Sequence, residues 1–336
     1  MTICTGTKDI EGSAIENTRK ALISEVRRGL VTRPRALSPW MFYDASGTLL
    51  FERITTLPEY YPTRTERNIL ACHADAMIAA GMAGKSLPLR IVELGAGIAS
   101  KTRLLLEAAL RTRVEVQYIP IDVSADALHT ARQTLESMFP DIRIEPLVLN
   151  YAAQALQLDP FDGTTIALYL GSSIGNFSPD EARAILGSLN RQLTMRDTLM
   201  LGVDMVKDIS TMVSAYNDKE GVTAAFNLNV LRRLNRDLDA DFDLGSYRHR
   251  ALWNASESRI EMHLESIRSQ SVSIAAAELD VDFFKGETLH TENSYKFTDE
   301  SIGALMEDSG FNIEATWKDK REWCAVVLAR PANRLA

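Results

Sequence analysis

This 336-residue sequence predicts an α/β fold: a parallel sheet buried on both faces, with a smaller α+β domain beside it. Three features carry the prediction. Between about residue 90 and residue 204, short β-rich runs alternate with segments of helical period. A glycine-rich turn follows the first of those runs and leads into a helical segment. After residue 204 the alternation stops, and it is replaced until about residue 295 by helical and then strand-like sequence.

Residues 1–18 are polar and are expected to be irregular. From Asn17 to Leu30 the spacing of Ala21, Leu22, Val26 and Leu30 predicts a helix, which Pro34 and Pro39 bring to an end. The stretch Trp40–Arg67 is rich in aromatic residues and interrupted by Pro58 and Pro62, so it reads as loops and short helices. Five strands follow, at Arg90–Gly95, Val114–Asp122, Arg143–Leu149, Thr165–Gly171 and Thr198–Asp204. Ser124 can cap a helix that carries Leu128, Ala131, Leu135 and Met138 on one face. Ser178, Pro179 and Glu181 form a capping box with proline at the first helical position.

Residues Thr211–Leu238 read as helical, and Arg259–Leu264 alternate with a period of two, placing Ile260, Met262 and Leu264 on one face of a strand. After a helix at Thr298–Ser309, the apolar runs Phe311–Trp317 and Trp323–Ala329 flank the polar stretch Lys318–Glu322 and predict an antiparallel hairpin. Five parallel strands closed by a terminal hairpin form the Rossmann-like sheet of the class I methyltransferases. The expected division is a sheet domain at 64–206 and 296–336 and a second domain, α+β, built from N-terminal and inserted segments at 20–63 and 207–295.

Thirty-seven Lys and Arg residues against 45 Asp and Glu give a net charge of -8 with no basic run, which argues against a nucleic-acid binder. Cys4, Cys72 and Cys324 are too scattered for a disulfide framework or a C-x-x-C knuckle. With no apolar signal core and no uninterrupted span of about 20 apolar residues, the protein is expected to be cytoplasmic with no membrane partner; it is also expected to be a monomer. The histidines His73, His129, His249, His263 and His290 show no H-x-x-x-H spacing, so no metal is expected.

The sharpest local motif is I-V-E-L-G-A-G-I-A-S-K-T at residues 91–102. Strand, glycine turn and helix together make a nucleotide site. Gly95 to Thr102 has the spacing of a phosphate-binding loop, but Ser100 replaces its second glycine and Glu93 would repel a triphosphate. Ser100 also stands where a dinucleotide fold needs its third glycine. S-adenosylmethionine has no phosphate and fits without substitution, with Asp122 at the end of the next strand to accept hydrogen bonds from the ribose diol. A tight turn without a ligand remains open at this level.

Longer strings carry a resemblance. L-P-E-Y-Y-P-T-R-T-E (57–66), G-S-S-I-G-N (171–176), V-D-M-V-K-D (203–208), A-Y-N-D-K-E-G-V-T-A-A-F-N (215–227), R-I-E-M (259–262) and T-E-N-S-Y-K-F (291–297) occur in this order. From about residue 20 onward the chain resembles the histidine-specific Nα-methyltransferases of ergothioneine biosynthesis. The resemblance implies three methyl transfers from S-adenosylmethionine to L-histidine, giving hercynine and S-adenosylhomocysteine. It assigns Gly95, Ala96, Gly97, Lys101 and Asp122 to the cofactor, with Tyr151 beside the adenine. Asn150 there is a departure, because the family usually carries an aspartate.

For the substrate, the resemblance assigns Asn176 and Tyr216 to the carboxylate, Tyr60 to the imidazole, and Glu292 and Ser294 to the far ring nitrogen. Gly171, Ser173 and Thr223 would surround the amino group. Tyr43 and Phe51 would be wall residues, with Met262 and Phe226 packing on the ring. A carboxylate suits imidazole because it accepts the ring N–H. Displacement at a sulfonium carbon needs a neutral amine, and Tyr43 or Tyr60, directly or through a water, is the candidate base. The rival expectations are an N-methyltransferase of a tryptophan-like amino acid and a non-catalytic cofactor-binding scaffold.

Overall fold

The computed structural model describes residues 6–332 except 85 and 153, with side chains from residue 18 onward. The helices are α1 (Gly6–Val31), α2 (Ala45–Thr56), α3 (Tyr61–Met82), α4 (Arg103–Arg111), α5 (Ala125–Met138), α6 (Pro179–Gln192), α7 (Ile209–Ala215), α8 (Val222–Asp237) and α9 (Asp299–Asp308). The first seven strands are β1 (Arg35–Ala36), β2 (Leu89–Leu94), β3 (Val116–Asp122), β4 (Ile142–Ile144), β5 (Leu147–Val148), β6 (Thr164–Tyr169) and β7 (Thr198–Asp204). The rest are β8 (Tyr247–Asn254), β9 (Arg259–Ser266), β10 (Gln270–Ile274), β11 (Leu279–Phe283), β12 (Thr288–Tyr295), β13 (Phe311–Lys318) and β14 (Cys324–Pro331).

The chain forms two compact units. One comprises residues 55–215, 253–260 and 293–336; the other comprises residues 1–54, 216–252 and 261–292. Segments 55–63 and 207–215 thus group with the sheet. A physical reason lies at the end of β7, where the Tyr61 hydroxyl and the Lys207 ammonium both bond the buried Asp204.

In the first unit the sheet runs β13-β14-β7-β6-β2-β3-β4, with β5 also pairing β3. The pairings β4–β3, β3–β2, β2–β6 and β6–β7 are parallel, and β14 is antiparallel to both β7 and β13. This is the class I methyltransferase sheet. Every residue of β2, β6 and β7 is buried, as expected of central strands covered on both faces. The predicted strand over 143–149 is two short pieces, because Pro146 between them has no N–H for the ladder. The capping box of α6 is present: the Ser178 hydroxyl accepts the Glu181 N–H at 3.4 Å, and Glu181 accepts the Ser178 N–H at 2.9 Å. Pro62 does not break structure as expected; it occupies the first turn of the long helix α3, where a missing N–H costs nothing.

The second unit holds most of the sheet β1-β12-β9-β8, without residues 253–254, 259–260 and 293–295, and all of the hairpin β10-β11. Helix α1 starts at Gly6, not Asn17. Leu22, Val26 and Leu30 are buried as predicted, while Ala21 is exposed. Residues 1–5, expected to be irregular and including Cys4, lie outside the described residues. The predicted helical stretch 211–238 is two helices, α7 and α8, interrupted where Gly221 adopts φ +72°. The Asp218 carboxylate restarts the chain as α8 by accepting the Val222 and Thr223 N–H groups at 2.9 and 2.7 Å. On β9, Ile260, Met262 and Leu264 are buried and alternate with half-buried residues, as the period of two predicts.

Candidate active site

The sheet reverses its strand order between β2 and β6, and such a switch point is where open α/β sheets bind ligands beyond the strand carboxyl ends. The loops leaving β2 and β6 carry the expected residues. Gly95 and Gly97 adopt φ +68° and +54°. A Cβ built on Gly97 would meet no atom within 4 Å, so this backbone is open to a ligand. A Cβ on Gly95 would come within 3.1 Å of the Tyr151 hydroxyl. Ala96 is buried, and its N–H donates to Ile121 at 3.1 Å.

Asp122 ends β3 as expected. Its carboxylate accepts the Gly97 N–H and the Ser124 N–H, each at 2.9 Å. Burial raises its pKa, with backbone N–H groups opposing that shift. One side chain thereby ties the glycine turn to the next helix and leaves carboxylate lone pairs for a diol. Tyr151 packs edge-on to Tyr169, with ring centroids 5.6 Å apart, and burial pushes its pKa up to about 12. Asn150 is occupied locally: its side-chain oxygen accepts the Ala152 N–H at 3.2 Å.

Glu66, absent from the expected set, organises this region. Its buried carboxylate ion-pairs with Lys101 and accepts the Gly171 N–H at 2.7 Å. Gly171 has φ +83°, and a Cβ there would meet the Lys101 ammonium at 3.2 Å and the Ser173 hydroxyl at 3.4 Å. Ser173 donates to Leu170 at 3.1 Å, and half-buried Asn176 closes the same turn ahead of α6. The sequence offered one hint of Glu66, as the last residue of L-P-E-Y-Y-P-T-R-T-E, but no local pattern gave it a partner. Glu93, the acidic residue of the motif, is committed to partners within the protein. It is buried, accepts from Tyr118 and from Thr102 at 2.7 Å, and burial raises its pKa to about 7.

A second buried charge cluster was also invisible in the sequence. Asp204 at the end of β7 pairs with Lys207 and with Lys296, the latter at 2.8 Å, and accepts the Tyr61 hydroxyl at 2.8 Å. Lys296 also donates to the Ser294 hydroxyl at 2.7 Å. Tyr60 is buried at the start of α3.

In the other unit, Phe226 on α8 stacks on Phe42 at 4.6 Å, and Tyr43 meets Phe226 and Phe51 edge-on at 5.8 and 5.7 Å. Thr223 is buried in the first turn of α8. Buried Tyr216 accepts at its carbonyl from His249 at 2.8 Å, and burial lowers the His249 pKa. Met262 on β9 is 2% exposed, and its carbonyl accepts the Thr291 hydroxyl of the neighbouring strand at 2.9 Å. On β12, Glu292 of this unit and Ser294 of the first are both buried, as are their neighbours Thr291 and Tyr295, with Asn293 half-buried.

The glycine turn, the Asp122 carboxylate and the absence of a phosphate-loop glycine fit a nucleoside lacking phosphates. Comparison with known proteins identifies it further. Residues 22–331 match the family model of the S-adenosylmethionine-dependent, histidine-specific methyltransferases. The chain is 42% identical over 306 residues to a histidine N-alpha-methyltransferase of Mycolicibacterium smegmatis, covering 91% of this chain and 94% of that one. It is 39% identical over 301 residues to a histidine N-alpha-methyltransferase of Mycobacterium tuberculosis, covering 89% and 92%. An L-tryptophan methyltransferase of Psilocybe serbica is 27% identical over 355 residues, covering 96% and 95%.

Proposed function

Because the chain belongs to the S-adenosylmethionine-dependent, histidine-specific methyltransferases, we infer that it methylates the α-amino nitrogen of L-histidine, three times in succession, to give hercynine. The observation that carries the histidine reading is the pair Glu292 and Ser294, a carboxylate and a hydroxyl two residues apart on β12 and both buried. A buried carboxylate can accept several hydrogen bonds at once, so Glu292 can take a ring N–H beside its partners within the protein. An imidazole N–H needs an acceptor, and a hydrocarbon ring does not.

Bound S-adenosylmethionine supplies a methyl group on a positively charged sulfur. Asp122 would accept hydrogen bonds from its ribose, the open backbone at Gly97 would approach it closely, and Tyr151 would lie beside the adenine. Asn150, a neutral residue, would stand at the adenine edge. Lys101, fixed by Glu66, would hold the loops after β2 and β6 in place beside the cofactor.

Alignment and exclusion of water are the main contributions to an in-line displacement. The amine must shed a proton before each transfer, and Tyr43 or Tyr60 is our candidate to receive it. A nitrogen that gains three methyl groups cannot be gripped tightly, so orientation falls to the groups that hold the carboxylate, among them Asn176 and Tyr216, and to those that hold the ring. A monomer without a metal requirement for methyl transfer completes this proposal. No helix among the described residues is long and apolar enough to cross a membrane.

The test is incubation with S-adenosylmethionine and each of the twenty amino acids, with product masses measured. Histidine should gain three methyl groups. Unmodified histidine beside a methylated tryptophan, or no product from any amino acid, would overturn the reading.

A further inference from the structure

Outside the groups assigned above, β9 and β12 bring together three side chains of metal-ligand type. Glu261 and His263 stand two residues apart on β9, and therefore on one face of the strand, while His290 stands on the adjacent strand β12. One ligand-type atom from each lies within 4.8 Å of the other two. The His263 Nε2 is 3.0 Å from a Glu261 carboxylate oxygen, and the His263 and His290 rings stack with centroids 4.7 Å apart. All three are half-buried.

We propose that Glu261, His263 and His290 form a binding site for a divalent transition-metal ion of the zinc type, joining β9 to β12. Two imidazoles and one carboxylate are a donor set that zinc accepts, leaving a fourth position for water. Bonds of about 2.0–2.2 Å would place the ligands roughly 3.3–3.5 Å apart. The Glu261–His263 separation is already close to that; His290, whose Nε2 bonds the Glu292 carbonyl at 3.1 Å and whose ring stacks on His263, would exchange that bond for the ion by rotating its side chain.

The Nδ1 of His263 is buried and has no hydrogen-bond partner, so hydrogen bonding holds the ring only at its Nε2 edge, the edge that faces Glu261 and would hold the ion. The H-x-x-x-H spacing that the sequence lacks is a helical pattern. On strands the partners come from position i+2 and from the neighbouring strand.

The site is independent of methyl transfer, whose chemistry draws its electrophile from the sulfonium cofactor. The ion would act as a staple within the sheet, and its affinity would fall on acidification as protons compete for the imidazoles.

The experiment uses the full chain without a polyhistidine tag, stripped with chelator and kept free of histidine, which itself binds metals. Cobalt(II) is titrated with detection of its visible absorption, zinc is then added in competition, and thermal melts are recorded with and without zinc. We expect one equivalent of cobalt, displaced by zinc, and a melting temperature raised by zinc. His263→Asn and His290→Asn should each weaken binding at least roughly tenfold and abolish the zinc-dependent rise. Glu261→Gln should weaken it less. S-adenosylmethionine binding by calorimetry should be unchanged in all three, which shows that they fold. Absence of a cobalt spectrum, or binding that survives both histidine substitutions in folded protein, would overturn the proposal. If a variant does not fold, the wild-type stoichiometry and its loss at acid pH decide the question alone.

Discussion

The Lys101 ammonium is ion-paired with Glu66, whose side chain is 4% exposed and whose carboxylate also accepts the Gly171 N–H. The loops after two different strands are thus held to one carboxylate on α3. Removing one member of a buried pair strands the other. Glu66→Ala is expected to lower unfolding free energy by about 3–5 kcal/mol in urea denaturation. Glu66→Gln keeps an acceptor for the Gly171 N–H and should lose less. Equal stability of Glu66→Ala and wild type would show that the pair does not organise these loops.

Asp122→Ala should weaken S-adenosylmethionine binding by about 1.5–3 kcal/mol, the scale of hydrogen bonds to a charged group. Because burial raises the Asp122 pKa, cofactor affinity in wild type should begin to fall, on acidification, at a higher pH than it would with an unshifted aspartate. Calorimetry across pH checks both statements, and unchanged affinity in the variant would remove Asp122 from the cofactor site.

Glu93 gives a stability prediction with a defined sign. Its folded pKa of about 7 lies above the ordinary value of 4.5, so the folded state binds more protons than the unfolded state. Stability from this group is therefore present below pH 4.5, declines as pH rises through the window to 7, and is lost above it. The shift corresponds to roughly 3 kcal/mol. Glu93→Gln should flatten this part of the stability–pH curve, measured by denaturation between pH 5 and pH 8. A slope that persists in the variant would assign the dependence to another group.

Glu292→Ala should lower kcat/KM for histidine by about 2–4 kcal/mol in transition-state binding, with the penalty against tryptophan shrinking. Phenylalanine and leucine should be used at least about a thousandfold less efficiently than histidine by wild type, since sites built for polar atoms reject ligands lacking them. A histidine-to-tryptophan ratio unchanged by the substitution would mean that Glu292 does not read the ring.

Asp204→Ala would leave the buried ammonium groups of Lys207 and Lys296 without their shared carboxylate. The expected loss is about 3–5 kcal/mol of stability, read from urea midpoints. A loss under about 1 kcal/mol, the scale of a surface ion pair, would show that solvent reaches the cluster.

The sequence by itself determined the parallel sheet, the terminal hairpin, the capped helix after Ser178 and the glycine turn before α4. Each of these is written in near neighbours: a run of apolar residues, a cap three positions ahead, a period of two or of 3.6. It also placed Glu292 and Ser294 on one face of one strand, because strand parity is local. What only the tertiary structure decided are the partners. Glu66 reaches Gly171 across 105 positions of sequence, Tyr61 reaches Asp204 across 143, and His263 meets His290 from the adjacent strand. Strand order and helix packing set those distances, and no periodicity in the chain encodes them. The same distinction explains Pro62 and Pro146: a proline marks a place where an N–H is missing, and only the fold determines whether that place begins a helix or interrupts a strand.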